Sequence, residues 1–266
     1  MNNLLRSHAP LTDEAWSLVD AEARERLAPA LAARKLVDFS GPHGWGHSAT
    51  GVGRATRIEA PAPGLVARRR VVLPLAELRA LFVLSLEELR DAGRGALDVE
   101  LGALDAAAQA IARAENIAVF HGWADAGIRG IAEASPLGPV PLGSVYAEYP
   151  ARVASAVAML LEAGVDGPYG MALGPECYTG VVETTEHGGL VVFDHLEKIL
   201  GGPVVRAPGV DGAVVVSLRG GDFLFESGED LSVGYDRHDA EHVHLYLEES
   251  FSFRVVSPDA AVALRA

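Results

Sequence analysis

The chain has 266 residues, and its 22 Lys plus Arg against 36 Asp plus Glu give a formal charge of −14. Apolar residues make up 49% and the mean hydropathy is +0.19, which excludes a wholly disordered chain and leaves room for one large domain or two modest ones. An isoelectric point near 5.0 argues against a nucleic-acid partner, and the single cysteine, Cys177, excludes a disulfide framework and a cysteine-rich zinc site.

Asp13, Glu14 and Asp20 arrive too early for a signal peptide. No charge-free window of roughly 18 apolar residues offers a membrane span, so a cytoplasmic protein with no membrane partner is expected. Residues 12–34 read as a helix: Thr12 is an N-cap, Asp13 and Glu14 complement the dipole, and Trp16, Val19, Ala23, Leu27 and Leu31 recur at spacings of three and four. Pro29 inside this pattern predicts a kink or an early end. Residues 41–82 read as two extended arms joined by a Pro/Gly turn at 60–64, with the basic run Arg68-Arg69-Arg70 on the second arm. A hairpin with so little apolar content cannot bury itself and must lie on something else, a neighbouring subunit being a candidate.

Residues 98–126 give the strongest helical pattern, with Leu101, Leu104, Ala108, Ile111, Ala112, Ile117 and Val119 among Ala, Gln and Glu, and Gly127 as a stop. Its length would be about 40 Å. Pro136, Gly138, Pro139, Pro141 and Gly143 mark a boundary. Helix is expected at 146–163, a strand at 169–173, a short helix at 175–182, a polar loop at 184–189 and helix again at 191–200. Strands follow at 204–206, 213–218, 222–226, 231–235, 242–247 and 250–256. This order is mixed α and β without regular βαβ alternation.

Signatures of chemistry are sparse. Gly51-Val52-Gly53 lacks the third glycine of a dinucleotide fingerprint, and there is no P-loop, GxSxG or HExxH. His242 and His244 would point to one side of a strand and could share a metal, but no third ligand is evident and a solvated strand face is the simpler reading. Cys177 would be a nucleophile only if His187 or His195 approached it; otherwise it is a small core residue. Neither catalytic residues nor a cofactor is assigned, and the balance leans toward a structural protein.

Several strings, in register over the whole length, carry a resemblance: Ala9-Pro10-Leu11-Thr12 with Trp16, Arg34-Lys35-Leu36-Val37-Asp38-Phe39, Gly41-Pro42-His43-Gly44-Trp45, Phe120-His121-Gly122, Gly167-Pro168-Tyr169, Arg219-Gly220-Gly221-Asp222-Phe223, Gly228-Glu229-Asp230-Leu231 and Glu249-Ser250-Phe251-Ser252-Phe253. The chain resembles the encapsulins, the linocin or culture-filtrate antigen family of bacterial nanocompartment shell proteins. The resemblance implies an α+β chain with the fold of tailed-phage major capsid proteins, comprising peripheral domain, extended loop and axial domain. On that frame 1–48 hold the N-terminal helix and the start of the peripheral domain, 49–80 the extended loop, 81–135 the peripheral domain with its spine helix, 136–221 the axial domain, and 222–266 strands returning to the peripheral domain.

The resemblance further implies a closed icosahedral shell of about 60 copies if all are equivalent. Its cargo would be a dye-decolourising peroxidase or a ferritin-like iron oxidase, docked through a C-terminal targeting peptide. That site is carried onto Leu27, Leu31, Arg34, Asp38, Phe39 and Leu231: apolar sockets for a Leu/Ile-bearing peptide, with charges that fix its direction. The loop Thr184, Thr185, Glu186, His187, Gly188 and Gly189 falls where the family places its fivefold pore, and carboxylate and imidazole there would face passing ions. A prophage capsid protein and a peptidase-like enzyme are the rival readings.

Overall fold

The computed structural model describes residues 3–186 and 189–265. Helix α1 (Asp13–Ala30) starts where the Thr12 hydroxyl accepts the Ala15 N–H at 3.2 Å. It ends at Ala30 rather than at 34, because Pro29 brings no N–H to the last turn. The chain then makes a tight buried turn and enters β1 (Asp38–Ser40). The next two strands, β2 (Ala49–Ile58) and β3 (Ala67–Pro74), pair antiparallel only with each other. They form the expected arm, but it stops at Pro74. From Ala76 the chain is β4 (Ala76–Ser85), which pairs along its whole length with a late strand, so residues 76–80 belong to a sheet and not to the arm.

Helix α2 (Leu86–Gly93) was not expected, although Ser85 with Glu88 three residues on is a capping-box pattern. The Ser85 hydroxyl accepts the Glu87 and Glu88 N–H groups. Helix α3 (Gly102–Phe120) is shorter than the pattern over 98–126 implied, about 28 Å at the α-helical rise. Ahead of it, the Glu88 and Glu100 carboxylates accept the backbone N–H groups of Glu100 and Gly102. Behind it, Gly122 adopts φ 98° and turns the chain back onto Gly130, where a Cβ would sit 2.2 Å from the Gly122 nitrogen. Residues 124–126 are a separate 3-10 turn.

The remaining elements are α4 (Ile131–Ala134), β5 (Val140–Pro141), α5 (Tyr149–Glu162), β6 (Tyr169–Leu173), α6 (Pro175–Glu183), α7 (Val192–Leu200), β7 (Val204–Arg206), β8 (Ala213–Ser217), β9 (Phe223–Ser227), β10 (Ser232–His238), β11 (His242–Val255) and β12 (Ala261–Arg265). Gly201, at φ 67°, closes α7. The two strands expected between 242 and 256 are one continuous 14-residue strand, β11. It is the spine of the first sheet: β4 lies along one side, while β10 and β9 lie end to end along the other, with β1 parallel to β9.

The second sheet runs β5-β12-β8-β6-β7. Its member β12 stands apart from the other late strands, β9 to β11, which belong to the first sheet. The chain leaves the first sheet after β11 and its final strand inserts between β5 and β8. The core divides accordingly. Trp16, Val19, Leu27, Phe82, Leu104, Ile111 and Leu245 pack α1 and the first part of α3 on the first sheet. Phe120, Tyr149, Leu160, Met171, Leu196 and Val215 pack the end of α3, α5 and α7 with the second. Helix α3 therefore contributes to both cores.

Candidate functional site

Three surfaces contain the residues singled out in the sequence. The first is a groove of about 400 Å³ beside α1. The buried Leu27 and half-buried Leu31 from the end of α1 meet Leu231, Val233 of β10 and Leu247 of β11, while Arg34 and Asp230 form a polar wall. The N-terminal segment adds Leu4 and Arg6 and is held in place by the Tyr235 N–H, which donates to the Leu4 carbonyl at 2.9 Å. Arg6 lies 4.0 Å over the Trp16 ring and reaches Asp20 at 2.7 Å. The groove thus offers an apolar floor with charged walls, the chemistry of a short amphipathic peptide site.

Leu27, Leu31, Arg34 and Leu231 are brought together there; Asp38 and Phe39 are not. The Asp38 carboxylate accepts the Gly221 N–H at 2.6 Å and lines a separate cleft with Lys35 and Asp222. Phe39, 37% exposed, stacks on Phe225 at 5.4 Å, and the Arg34 guanidinium sits 5.0 Å over its ring. Arg34 is itself fully engaged: Nε meets Glu115 at 2.7 Å, Nη1 meets Asp230 at 2.6 Å and Nη2 meets Glu249 at 2.9 Å. Burial works against its charge, but the three carboxylates prevail and its pKa is raised. Sequence reasoning missed Asp230, which lies inside one of the quoted strings, and Arg6, which no periodicity marks.

The second surface is the arm. Its root is fixed by a hydrogen bond between the Thr50 and Ser252 hydroxyls at 2.7 Å. Beyond that, Arg68, Arg69 and Arg70 are exposed, as are Ile58, Leu65, Val66 and Val72. Arg54, Arg57, Arg68, Arg69 and Arg70 against Glu59 give residues 49–74 a charge of five minus one, +4, which leaves −18 on the rest of a chain whose total is −14. Among the described residues no carboxylate pairs with any of these arginines. A positive, partly greasy ribbon stands off a strongly negative body.

The third is the connection between α6 and α7. The Val192 N–H donates to the Thr184 carbonyl at 3.0 Å and the Glu186 N–H to the Leu190 carbonyl at 2.8 Å, so this is a tight turn. Thr185 and Gly189 are exposed, whereas the Glu186 carboxylate contacts His195 Nδ1 at 3.0 Å. His187 and Gly188 lie outside the described residues.

Elsewhere, the Cys177 thiol meets the Tyr149 hydroxyl at 3.5 Å; of its two candidate histidines, His195 is bound to Glu186 and His187 is undescribed. His242 and His244 lie 3.7 and 3.9 Å from Asp239. No group of three or more His, Cys, Asp or Glu among the described residues is arranged to hold a metal ion, and no helix there is long and apolar enough to cross a membrane.

Residues 1–252 match a protein family described as "Encapsulating protein for peroxidase". The chain is 47% identical to the type 1 encapsulin shell protein of Rhodospirillum rubrum over 100% of its own length and 97% of that protein's. It belongs to the encapsulin family. The type 1 encapsulin shell protein of Mycolicibacterium paratuberculosis is 41% identical, with 99% of each chain covered. Among solved structures, the virus-like particle of Pyrococcus furiosus matches with a TM-score of 0.65 at 16% identity, over 95% of this chain and 98% of that one. The capsid of Myoviridae phage XM1 matches with a TM-score of 0.53 at 11% identity, over 88% and 90%. This encapsulin shell protein therefore has the fold of phage capsid proteins, the fold from which capsid-like compartments are built.

Proposed function

We propose that copies of this encapsulin close into an icosahedral shell of about 60 subunits in the cytoplasm and enclose an enzyme cargo. The observation that carries this reading is the arm, whose exposed apolar residues and unpaired arginines are satisfied when it lies across the acidic body of a neighbouring copy. The groove between α1 and β10 takes the C-terminal targeting peptide of the cargo, with branched apolar side chains against Leu27, Leu31 and Leu231. Asp230 orients the peptide backbone, while Arg34, already engaged by three carboxylates, acts as a post for Phe39 rather than as a ligand. A peroxidase is the favoured cargo because the matching family is described by that role; a ferritin-like oxidase is the second. The turn at 184–189 lines a pore for small molecules or ions.

Light scattering and negative-stain microscopy of the purified protein should give closed particles; a lone monomer at micromolar concentration would end the reading. Leu31→Asp with Leu231→Asp should leave particles intact but lower loading of a co-expressed, tailed peroxidase by about tenfold or more, since two charges then line an apolar floor. Undiminished loading would remove the groove from the proposal.

A further inference from the structure

Beneath the groove lies a buried charge cluster centred on Arg34. Arg34 takes one oxygen from Glu115 of α3 and one from Glu249 of β11. Both glutamates are essentially without solvent exposure, at 0% and 1%. The second oxygen of each, Oε1 in both cases, is buried and receives no N–H or O–H donor among the described residues. The two carboxyl groups meet the same guanidinium, at 2.7 and 2.9 Å, and so sit together beneath it. A carboxylate can only accept, so neither free oxygen can find a donor in the other group unless one of the pair carries a proton.

The charge balance agrees. Arg34 faces three carboxylates: Glu115, Glu249 and Asp230 of the turn before β10. Asp230 keeps 41% of its side chain in water and can stay ionised. Glu248, the residue before Glu249 on β11, points to the other face of the sheet, where Arg79 of β4 takes it. With Glu115 and Glu249 both ionised, one guanidinium would serve two buried charges and an exposed one, an uncompensated arrangement in a low-dielectric site.

We propose that Glu115 and Glu249 share a single proton beneath Arg34, and that losing it loosens the link between α1 and β1 that forms one wall of the groove. Burial pushes the pKa of both glutamates up, that of Glu249 well up. A carboxyl whose folded pKa is raised binds more protons in the native state than in the unfolded one. Its stabilising contribution is complete below the unfolded value and is lost as the pH rises through the folded value. The weak side is the link, since Arg34 sits in the turn at 33–35 and is flanked by the groove, whereas α3 and β11 are locked in the core. The proton does not depend on what occupies the groove, so this proposal and the cargo reading fail separately.

Infrared difference spectra and hydrogen exchange on the intact protein test it. Wild type near neutral pH should show a protonated-carboxyl band that Glu249→Gln removes, because the amide N–H replaces the shared proton at unchanged net charge. Protection of the amides at 31–36, corrected for intrinsic exchange, should fall by up to about tenfold per pH unit while the closed pair still holds the proton that the opened link would release, should level off once the closed pair has lost it, and should stay flat throughout in Glu249→Gln. Glu115→Gln is the mirror replacement should the first variant misfold. Protection at 31–36 that is flat in wild type up to about pH 10, or an unchanged band in the variants, overturns the proposal.

Discussion

Asn116 shows how one residue can set the geometry of a distant surface. It is wholly buried on α3, next to Glu115, and every polar atom of its amide is used. Its Oδ1 accepts the N–H groups of Ala32 at 3.1 Å and Ala33 at 3.0 Å, and its Nδ2 donates to the carbonyls of Ala30 at 2.9 Å and Pro208 at 3.1 Å. The Ala30 carbonyl and the Ala32 N–H also bond to each other at 2.9 Å, whereas the Ala33 N–H in the turn after α1 and the Pro208 carbonyl in the loop before β8 rely on this amide. Asn116→Ala leaves the Ala33 N–H and the Pro208 carbonyl without this partner, and the expected loss is about 2–4 kcal/mol, read as a lower denaturation midpoint. A midpoint within error of wild type would show that water replaces the amide. At Gly234 the same scale works by absence: the Tyr246 ring of the neighbouring strand lies over it, where a Cβ would come within 2.2 Å, and Arg79 caps the ring at 4.1 Å.

Among the elements, those with a strong local signal were readable. Strand β6 and the short β7 fall where short apolar runs flanked by Gly/Pro put them, and α1 begins at its cap. The misses have physical causes. Helix α3 stops early because Gly122 and Gly130 close on each other, a contact between residues that no helical period encodes. Strand β11 is unbroken because β4 pairs across Glu248, Glu249 and Ser250, polar residues that read as a break. The arm was legible as a ribbon that cannot bury itself, and its arginines carry the assembly prediction. Arg69→Glu with Arg70→Glu turns the arm from +4 to neutral, counting two charges lost and two gained. Sizing chromatography should then show subunits or open fragments where wild type gives closed particles; particles of normal size would refute the electrostatic role.

For the whole molecule, the decisive feature is that the chain crosses between its two sheets more than once. Helix α3 serves both cores, and β12 carries the last described residues into the middle of the second sheet, burying Val262 and Leu264. Removing residues 261–266 would expose the β8 edge and open the core beneath it, so the truncated chain should be insoluble or fail to form particles. Normal particles from that truncation would make β12 dispensable. The candidate groove shows the same dependence on long-range closure: Leu27 and Leu31 are one helical turn apart, but Leu231 reaches them only because β10 lies beside α1.

By itself the sequence determined the class of the chain, a hairpin arm too poor in apolar residues to bury itself, the α1 stripe and the family, because period, capping and quoted strings are local properties. Tertiary structure alone decided that Arg34 is held by Glu115, Asp230 and Glu249, that Asp38 and Phe39 stand apart from the groove, and that β12 joins the second sheet. Those outcomes depend on which distant groups meet once the chain closes, and on the need to give each buried charge and backbone group a partner.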